Sequence, residues 1–266
     1  MGDNANRFER HWDVPEIGVA GQKRLLKSSV LIVGMGGLGC PAALYLAAAG
    51  IGRVGLADGD EISLSNLQRQ VLYDESDVGK PKTAAAAAKL RRMTSVCKIE
   101  EHPGFITEEN AEKLVSSYDV ILDCTDNFDT RYLLNFFAYA AGKPLVSASL
   151  HQHDGQLSVF RPFAEGRPCY QCLYPQKDRI NLAPSCKEAG VVGPVAGILG
   201  TMQAAAALYE LVGLGHGLDG QMVIFSGLGF NMKNIYFAKN SDCRVCGTKK
   251  TFKDYADYLK QATCST

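Results

Sequence analysis

Ser29-Val30-Leu31-Ile32-Val33-Gly34-Met35-Gly36-Gly37-Leu38-Gly39 is the stretch on which the reading of the fold turns. Ser29 to Val33 is an apolar run ending in glycines, as expected of a strand buried on both faces of a sheet. Leu38 to Ala49 then reads as an Ala/Leu-rich helix, with Pro41 in its first turn and Gly50 closing it. Glycines at 34, 36, 37 and 39 allow a tight turn and let backbone N–H groups approach phosphate at the helix N-terminus. Asp58 lies about 20 residues further on, at the end of the next strand (Arg53 to Ala57), where an acid can hold ribose hydroxyls. A glycine loop alone is a weak signal. Strand, helix and acid in this order point to a nucleotide, whereas a turn that only packs helix on sheet leaves the acid unexplained.

Working outward, Lys82 to Met93 is an alanine-rich helix and Cys97 to Glu101 a short strand. Asp119 to Asp123 is another buried strand, Arg131 to Ala141 a helix, and Pro144 to Ala148 a further strand. Arg7 to Leu26 reads as a polar lead-in and a short helix. Alternating strands and helices predict an α/β, Rossmann-like, mostly parallel sheet with helices on both faces. In the second half, Gln156 to Arg161, Met222 to Phe225 and Asn234 to Ala238 read as antiparallel strands. Between them lie a Cys/Pro-rich loop, Pro168 to Pro184, and a helix from about Val195 to Val212. No linker isolates this half, so residues 1–266 are expected to form one domain with an antiparallel extension. Its nucleotide-binding half ends near residue 150, a second half covers about 151–247, and 248–266 form a tail.

Lys+Arg and Asp+Glu number 28 each, so no global field draws the chain to nucleic acid or to an anionic membrane. The start, Met1 to Phe8, is polar and unlike a signal peptide. The best membrane candidate, Val191 to Val212, is Gly/Ala-rich and contains Pro194 and Glu210, so no span is expected. A cytoplasmic protein follows. In that compartment nine cysteines suggest metal binding or catalysis rather than disulfides.

NAD(P) is the usual ligand of such a fold, which makes a dehydrogenase the rival enzyme. The segment after Asp58, Gly59-Asp60-Glu61-Ile62-Ser63-Leu64-Ser65-Asn66-Leu67-Gln68-Arg69-Gln70, argues otherwise. A dehydrogenase needs an apolar nicotinamide slot here, whereas Arg69 together with Lys82 suits a triphosphate. Each alone reads as a solvated charge; the pair, in one segment after a phosphate loop, favours phosphate. Leu122-Asp123-Cys124-Thr125-Asp126-Asn127 ends a buried strand, where ligands of open α/β sheets bind. Asp126 could hold Mg2+ against phosphates or cap the following helix. A nucleotide-binding scaffold without turnover is the non-enzymatic alternative.

Cys169-Tyr170-Gln171-Cys172 and Cys243-Arg244-Val245-Cys246 are two CxxC pairs on separate loops, fitting a closed structural zinc site of four thiolates. A redox dithiol fits less well, because neither pair starts a helix after a strand. Cys40, Cys97 and Cys124 read as small buried hydrophobes and Cys264 lies in the tail. Cys186 occupies a loop beside Lys187, which favours a thiolate; an idle loop thiol is the plain alternative. The five histidines show no catalytic or ligand spacing.

Over nearly its whole length the chain resembles the ThiF/MoeB/HesA family, bacterial relatives of ubiquitin-activating enzymes. The matching stretches are GMGGLG, DGDEISLSNLQRQ, VGKPK, LDCTDN, CKEAGVVGP and both CxxC pairs. The resemblance implies a homodimeric, zinc-stabilised adenylyltransferase that uses ATP and Mg2+. It gives Asp58 the ribose, Asn66, Arg69, Gln70 and Lys82 the phosphates, and Asp126 the magnesium. It also implies that Arg10 reaches the partner subunit's ATP, although His11 stands where the family commonly has Gln. The partner would be a ubiquitin-like sulfur-carrier protein, bound by the second half, with a sulfur donor such as a cysteine desulfurase.

Such chemistry needs no histidine. A carrier's terminal carboxylate is already a nucleophile, so attack on the α-phosphorus rests on positioning and on neutralising phosphate charge. In ThiF-like enzymes the cysteine matching Cys186 can form an acyl-disulfide link with the carrier. CPAALYLAAAGIG, LADGDEISLSNLQRQ and AGVVGPVAGILGTMQ look closer to ThiF, which acts on a ThiS-type carrier for thiamine. Thr251 to Tyr255 resembles MoeB relatives that carry a rhodanese domain, which points to a MoaD-type carrier for molybdopterin.

Overall fold

The computed structural model describes residues 5–161, 163–175, 190–218, 220–248 and 254–258 of the 266-residue chain. Strands β1 (Ser29–Val33), β2 (Arg53–Asp58), β3 (Lys98–Pro103), β4 (Val120–Asp123) and β5 (Leu145–His151) run parallel, in the order β3-β2-β1-β4-β5. Strands β6 (Asp154–Phe160), β7 (Gln221–Ser226) and β8 (Asn231–Tyr236) continue the same sheet antiparallel. The helices are α1 (Glu9–Trp12), α2 (Gly18–Leu25), α3 (Gly39–Ala48), α4 (Lys82–Met93), α5 (Glu108–Ser116), α6 (Phe128–Ala140), α7 (Tyr170–Leu173) and α8 (Gly193–Val212).

Every residue of β1 is buried, and strand alternation splits its side chains between two cores. Val30 and Ile32 pack with α3, α4 and α8 on one face; Leu31 and Val33 pack with α5 and α6 on the other. The expected α/β sheet with helices on both faces and an antiparallel extension is therefore the fold. The strand order reverses between β1 and β4, and ligands of such sheets bind at the strand C-termini there.

Helices α5, α6 and α8 each depart from the sequence expectation. Helix α5 carries a weak signal in the sequence, because only Ala111 and Val115, four residues apart, are buried. Its start is set instead by Thr107 and Asn110, each side chain bonding the other's backbone N–H. Helix α6 begins three residues earlier than Arg131, because Asn127 caps it by accepting from the Thr130 N–H at 2.9 Å. Helix α8, with 20 residues, is, against expectation, long and apolar enough to cross a membrane, an 18-residue window of it having a mean hydropathy of 1.4. Half of that window is buried in the protein. Its Gln203 is fully buried and donates to the Asp123 and Val146 carbonyls at 2.8 and 3.2 Å, the hydrogen bonding of a core helix.

Strand β8 is exposed along its whole length. Leu228, Phe230, Met232, Ile235 and Tyr236, in and just before it, all stand open to solvent.

Candidate active site

The phosphate-type loop begins at Gly34, whose φ of +94° puts it in left-handed backbone and whose missing Cβ leaves room for the Cys124 carbonyl. Its N–H donates to the Ala57 carbonyl at 2.8 Å, tying the loop to β2. The chain then opens a cavity of about 380 Å³ over the C-terminal ends of β1, β2 and β4. Gly34, Gly36, Gly37, Asp58, Asn66, Arg69, Gln70, Lys82 and Asp126 all line it. Gly39 does not. A Cβ there would lie 2.0 Å from the Gly34 carbonyl, so this glycine closes the first turn of α3 on the loop.

Asp58 accepts from the Met35 N–H at 2.6 Å and the Asp60 N–H at 2.8 Å. Burial pushes its carboxyl above the usual carboxylate value, with Lys82 and the two N–H donors pulling back. Lys82, itself buried, begins α4 and pairs with Asp60 at 2.7 Å. The carbonyl of Asn66 accepts from the N–H groups of Arg69 and Gln70, a tight turn in which these three residues line the cavity. Gln70 is buried and its Oε1 has no hydrogen-bond partner among the described residues. An orphaned amide beside a phosphate-type loop fits a polar ligand.

Asp126 is exposed to the cavity and is not the helix cap, a place taken by Asn127. Its carboxylate is left as a hard oxygen donor of the kind that binds Mg2+. Beneath it lies a buried network that the sequence reading missed. Asp123 accepts from Thr125 Oγ1 and Ser147 Oγ, each at 2.6 Å. Buried Arg131 donates to the Thr125 carbonyl at 2.6 Å, holding the backbone just before Asp126. The available signal was Asp123 itself, a charge closing an apolar strand. Among the described residues, no histidine lines the cavity.

Other sequence-derived residues lie elsewhere. The Arg10 side chain is 96% exposed, pairs with Asp13 at 3.6 Å and does not reach the cavity of its own chain. Cys186 falls outside the described residues. Burial pushes the thiols of Cys40 and Cys97 up to about 12 and raises Cys124 as well, as for inert core cysteines.

Cys169, Cys172, Cys243 and Cys246 come together with all four sulfurs within 4.8 Å of one another. Sulfur separations of 3.5 Å (Cys169–Cys243), 3.4 Å (Cys172–Cys246) and 4.0 Å (Cys169–Cys172) exclude disulfides. They bracket the roughly 3.8 Å edge of a tetrahedron with metal–sulfur bonds of about 2.3 Å. The cluster can hold one tetrahedral metal ion. Residues 255–258 pack beside it: fully buried Tyr258 donates its hydroxyl to Gln171 at 2.8 Å, and its carbonyl accepts from Arg244 at 3.1 Å.

Fold and site define a doubly wound α/β protein with a phosphate-loop cavity at the switch point and an appended four-cysteine cluster. The ThiF family profile matches residues 8–245, and the chain belongs to the ThiF family. A sulfur carrier protein adenylyltransferase from Thermus thermophilus is 41% identical over 259 residues, covering 96% of each chain. Mouse adenylyltransferase and sulfurtransferase MOCS3 is 44% identical over 265 residues, 99% of this chain but only 57% of that protein. Escherichia coli MccB, solved with ATP, superposes with a TM-score of 0.78 at 24% identity, over 92% of this chain and 75% of its own, and shows the shared fold.

Proposed function

We propose that this protein uses ATP to adenylate the C-terminal glycine of a ubiquitin-like sulfur-carrier protein, preparing it for thiocarboxylate formation. The observation that carries the reading is convergence: the glycine loop, Asp58, Arg69, Gln70, Lys82 and Asp126 meet in one cavity that contains no histidine. A carrier carboxylate oxygen would attack the α-phosphorus, forming a C–O–P linkage as the α–β phosphoanhydride breaks and pyrophosphate leaves. No proton needs removing, so the step calls for positioning and for neutralising phosphate charge rather than for a general base.

Charge supports two further parts. Among the described residues, four carboxylates (Asp58, Asp60, Glu61, Asp126) and three cations (Arg69, Lys82, Arg131) line the cavity, one more negative charge than positive. A triphosphate needs more positive charge than this. Mg2+ held by Asp126 would supply some of it by neutralising phosphate oxygens. Arg10 from a second copy of the chain would supply more, which is the reading of its exposure and makes the enzyme a homodimer. The four cysteines would hold a structural Zn2+, clamping the chain around residue 170 to that around 245. Exposed Leu228, Phe230, Met232 and Tyr236 offer an apolar surface for the carrier. Cys186 is assigned to sulfur transfer after adenylation, with a cysteine desulfurase as the class of donor.

For the carrier we favour a ThiS-type protein of thiazole biosynthesis, on the resemblance of residues 40–52, 56–70 and 189–203 to ThiF. A MoaD-type carrier is the second reading, favoured by the 44% identity to MOCS3 across nearly the whole chain. Mass spectrometry of ThiS-type and MoaD-type carriers after incubation with enzyme, Mg2+ and ATP decides between them. The expected result is an AMP adduct on the ThiS-type carrier, lost when its terminal glycine is deleted. An adduct on the MoaD-type carrier alone establishes the second reading. Cys186→Ser should leave this adduct intact and reduce thiocarboxylate formation.

A further inference from the structure

We propose that Phe105 is the wall on which the purine base of the nucleotide stacks, making it a specificity-determining residue that no motif of the chain announces. The inference rests on the reading of the cavity as an ATP site. Phe105 is 66% exposed and lines the cavity together with Gly104 and Ile106. Its loop is fixed. The Gly104 N–H donates to the Asp58 carbonyl at 3.1 Å, and the Phe105 carbonyl accepts from Asn110 Nδ2 at 3.0 Å. Asn110 Oδ1 in turn accepts from the Thr107 N–H at 2.9 Å at the start of α5.

Asp58 gives the direction. Its carboxylate accepts from Met35 in the phosphate-type loop, while its backbone carbonyl holds the loop that carries Phe105. Phosphate loop, ribose-type acid and aromatic ring therefore follow one another along the wall in the order of a nucleotide's phosphate, sugar and base. Gly59, next to the acid, leaves the space the ring uses, since a Cβ there would lie 2.8 Å from the ring carbons. An exposed aromatic face on a rigid loop is the element that stacks bases in nucleotide sites.

The test is calorimetric binding of ATP, adenosine and pyrophosphate to wild type and Phe105→Ala, with thermal unfolding as the fold check. ATP and adenosine should weaken about tenfold in the variant, with pyrophosphate unchanged. Phe105→Trp, in a Trp12→Phe background that removes the chain's one native tryptophan, should retain ATP affinity and show quenched fluorescence on adding adenosine. Equal loss of all three ligands, or no loss of any, overturns the assignment. A wild type that binds neither ATP nor pyrophosphate would instead overturn the reading of the cavity itself.

Discussion

Lys82 Nζ lies 2.7 Å from the carboxylate of Asp60 and 3.9 Å from that of Asp58, so this buried cation of the cavity is already paired. An incoming triphosphate has to draw Lys82 away from Asp60, and the ion pair sets against that binding the attraction it gives up.

Lys82→Ala should therefore weaken pyrophosphate and ATP binding about tenfold or more, as expected for loss of a charge-assisted hydrogen bond. Asp60→Asn should act in the opposite sense and tighten pyrophosphate severalfold, because its backbone N–H bond to Asp58 survives. Titration calorimetry measures both. Weaker pyrophosphate binding in Asp60→Asn would mean that Asp60 serves the ligand directly.

The cysteine cluster makes a stability prediction. A bound structural metal contributes folding free energy outright. Chelation, or Cys246→Ser, should lower Tm by about 10 °C or more. Amide exchange should rise first at residues 169–172, 243–247 and 255–258, which meet at the cluster. An unchanged Tm after verified metal removal counts against a structural role.

At the far edge of the sheet, Glu100 is desolvated, which alone would raise its carboxyl. Bonds from Lys98, the Tyr118 hydroxyl and Arg53 outweigh this and hold it down at about 2 against an ordinary 4.5. A depressed carboxyl contributes stability above its unfolded value and loses it as pH falls toward the folded one. Glu100→Gln should be less stable than wild type by about 1 kcal/mol at neutral pH, given partial solvent screening. The gap should narrow as pH drops from 4.5 toward 2. Denaturant unfolding across that window checks the sign, and a gap that widens on acidification contradicts it.

Sharing of sites between subunits predicts complementation. Arg10→Ala and Lys82→Ala should each be inactive alone. After mixing and re-equilibration, half of the dimers would be mixed and each would hold one intact site, giving about a quarter of wild-type activity. No recovery, with subunit exchange verified, would place Arg10 outside the site.

The nucleotide half was legible from the chain because its signals are local. Ser29 to Val33 and Lys82 to Met93 were read with the bounds the structure gives, since an apolar run and an alanine-rich segment need no distant partner to declare themselves. The lining residues were legible as motifs. Gly39 was read as phosphate-facing, and only its distance to the Gly34 carbonyl shows it to be a packing glycine. Asp126 stayed open between cap and ligand until Asn127 was seen to take the cap. Arg131, Ser147, Gln203 and Phe105 could not be picked out, because their roles depend on contacts with residues far away in the chain.

The most direct measurement is ATP–pyrophosphate exchange, run with Mg2+ against a panel of purified ubiquitin-like sulfur carriers. Adenylation predicts exchange that requires a carrier, disappears when the carrier's terminal glycine is removed, is lost in Lys82→Ala and persists in Cys186→Ser. Exchange that proceeds without any carrier, or is absent with every carrier while ATP still binds, would contradict it.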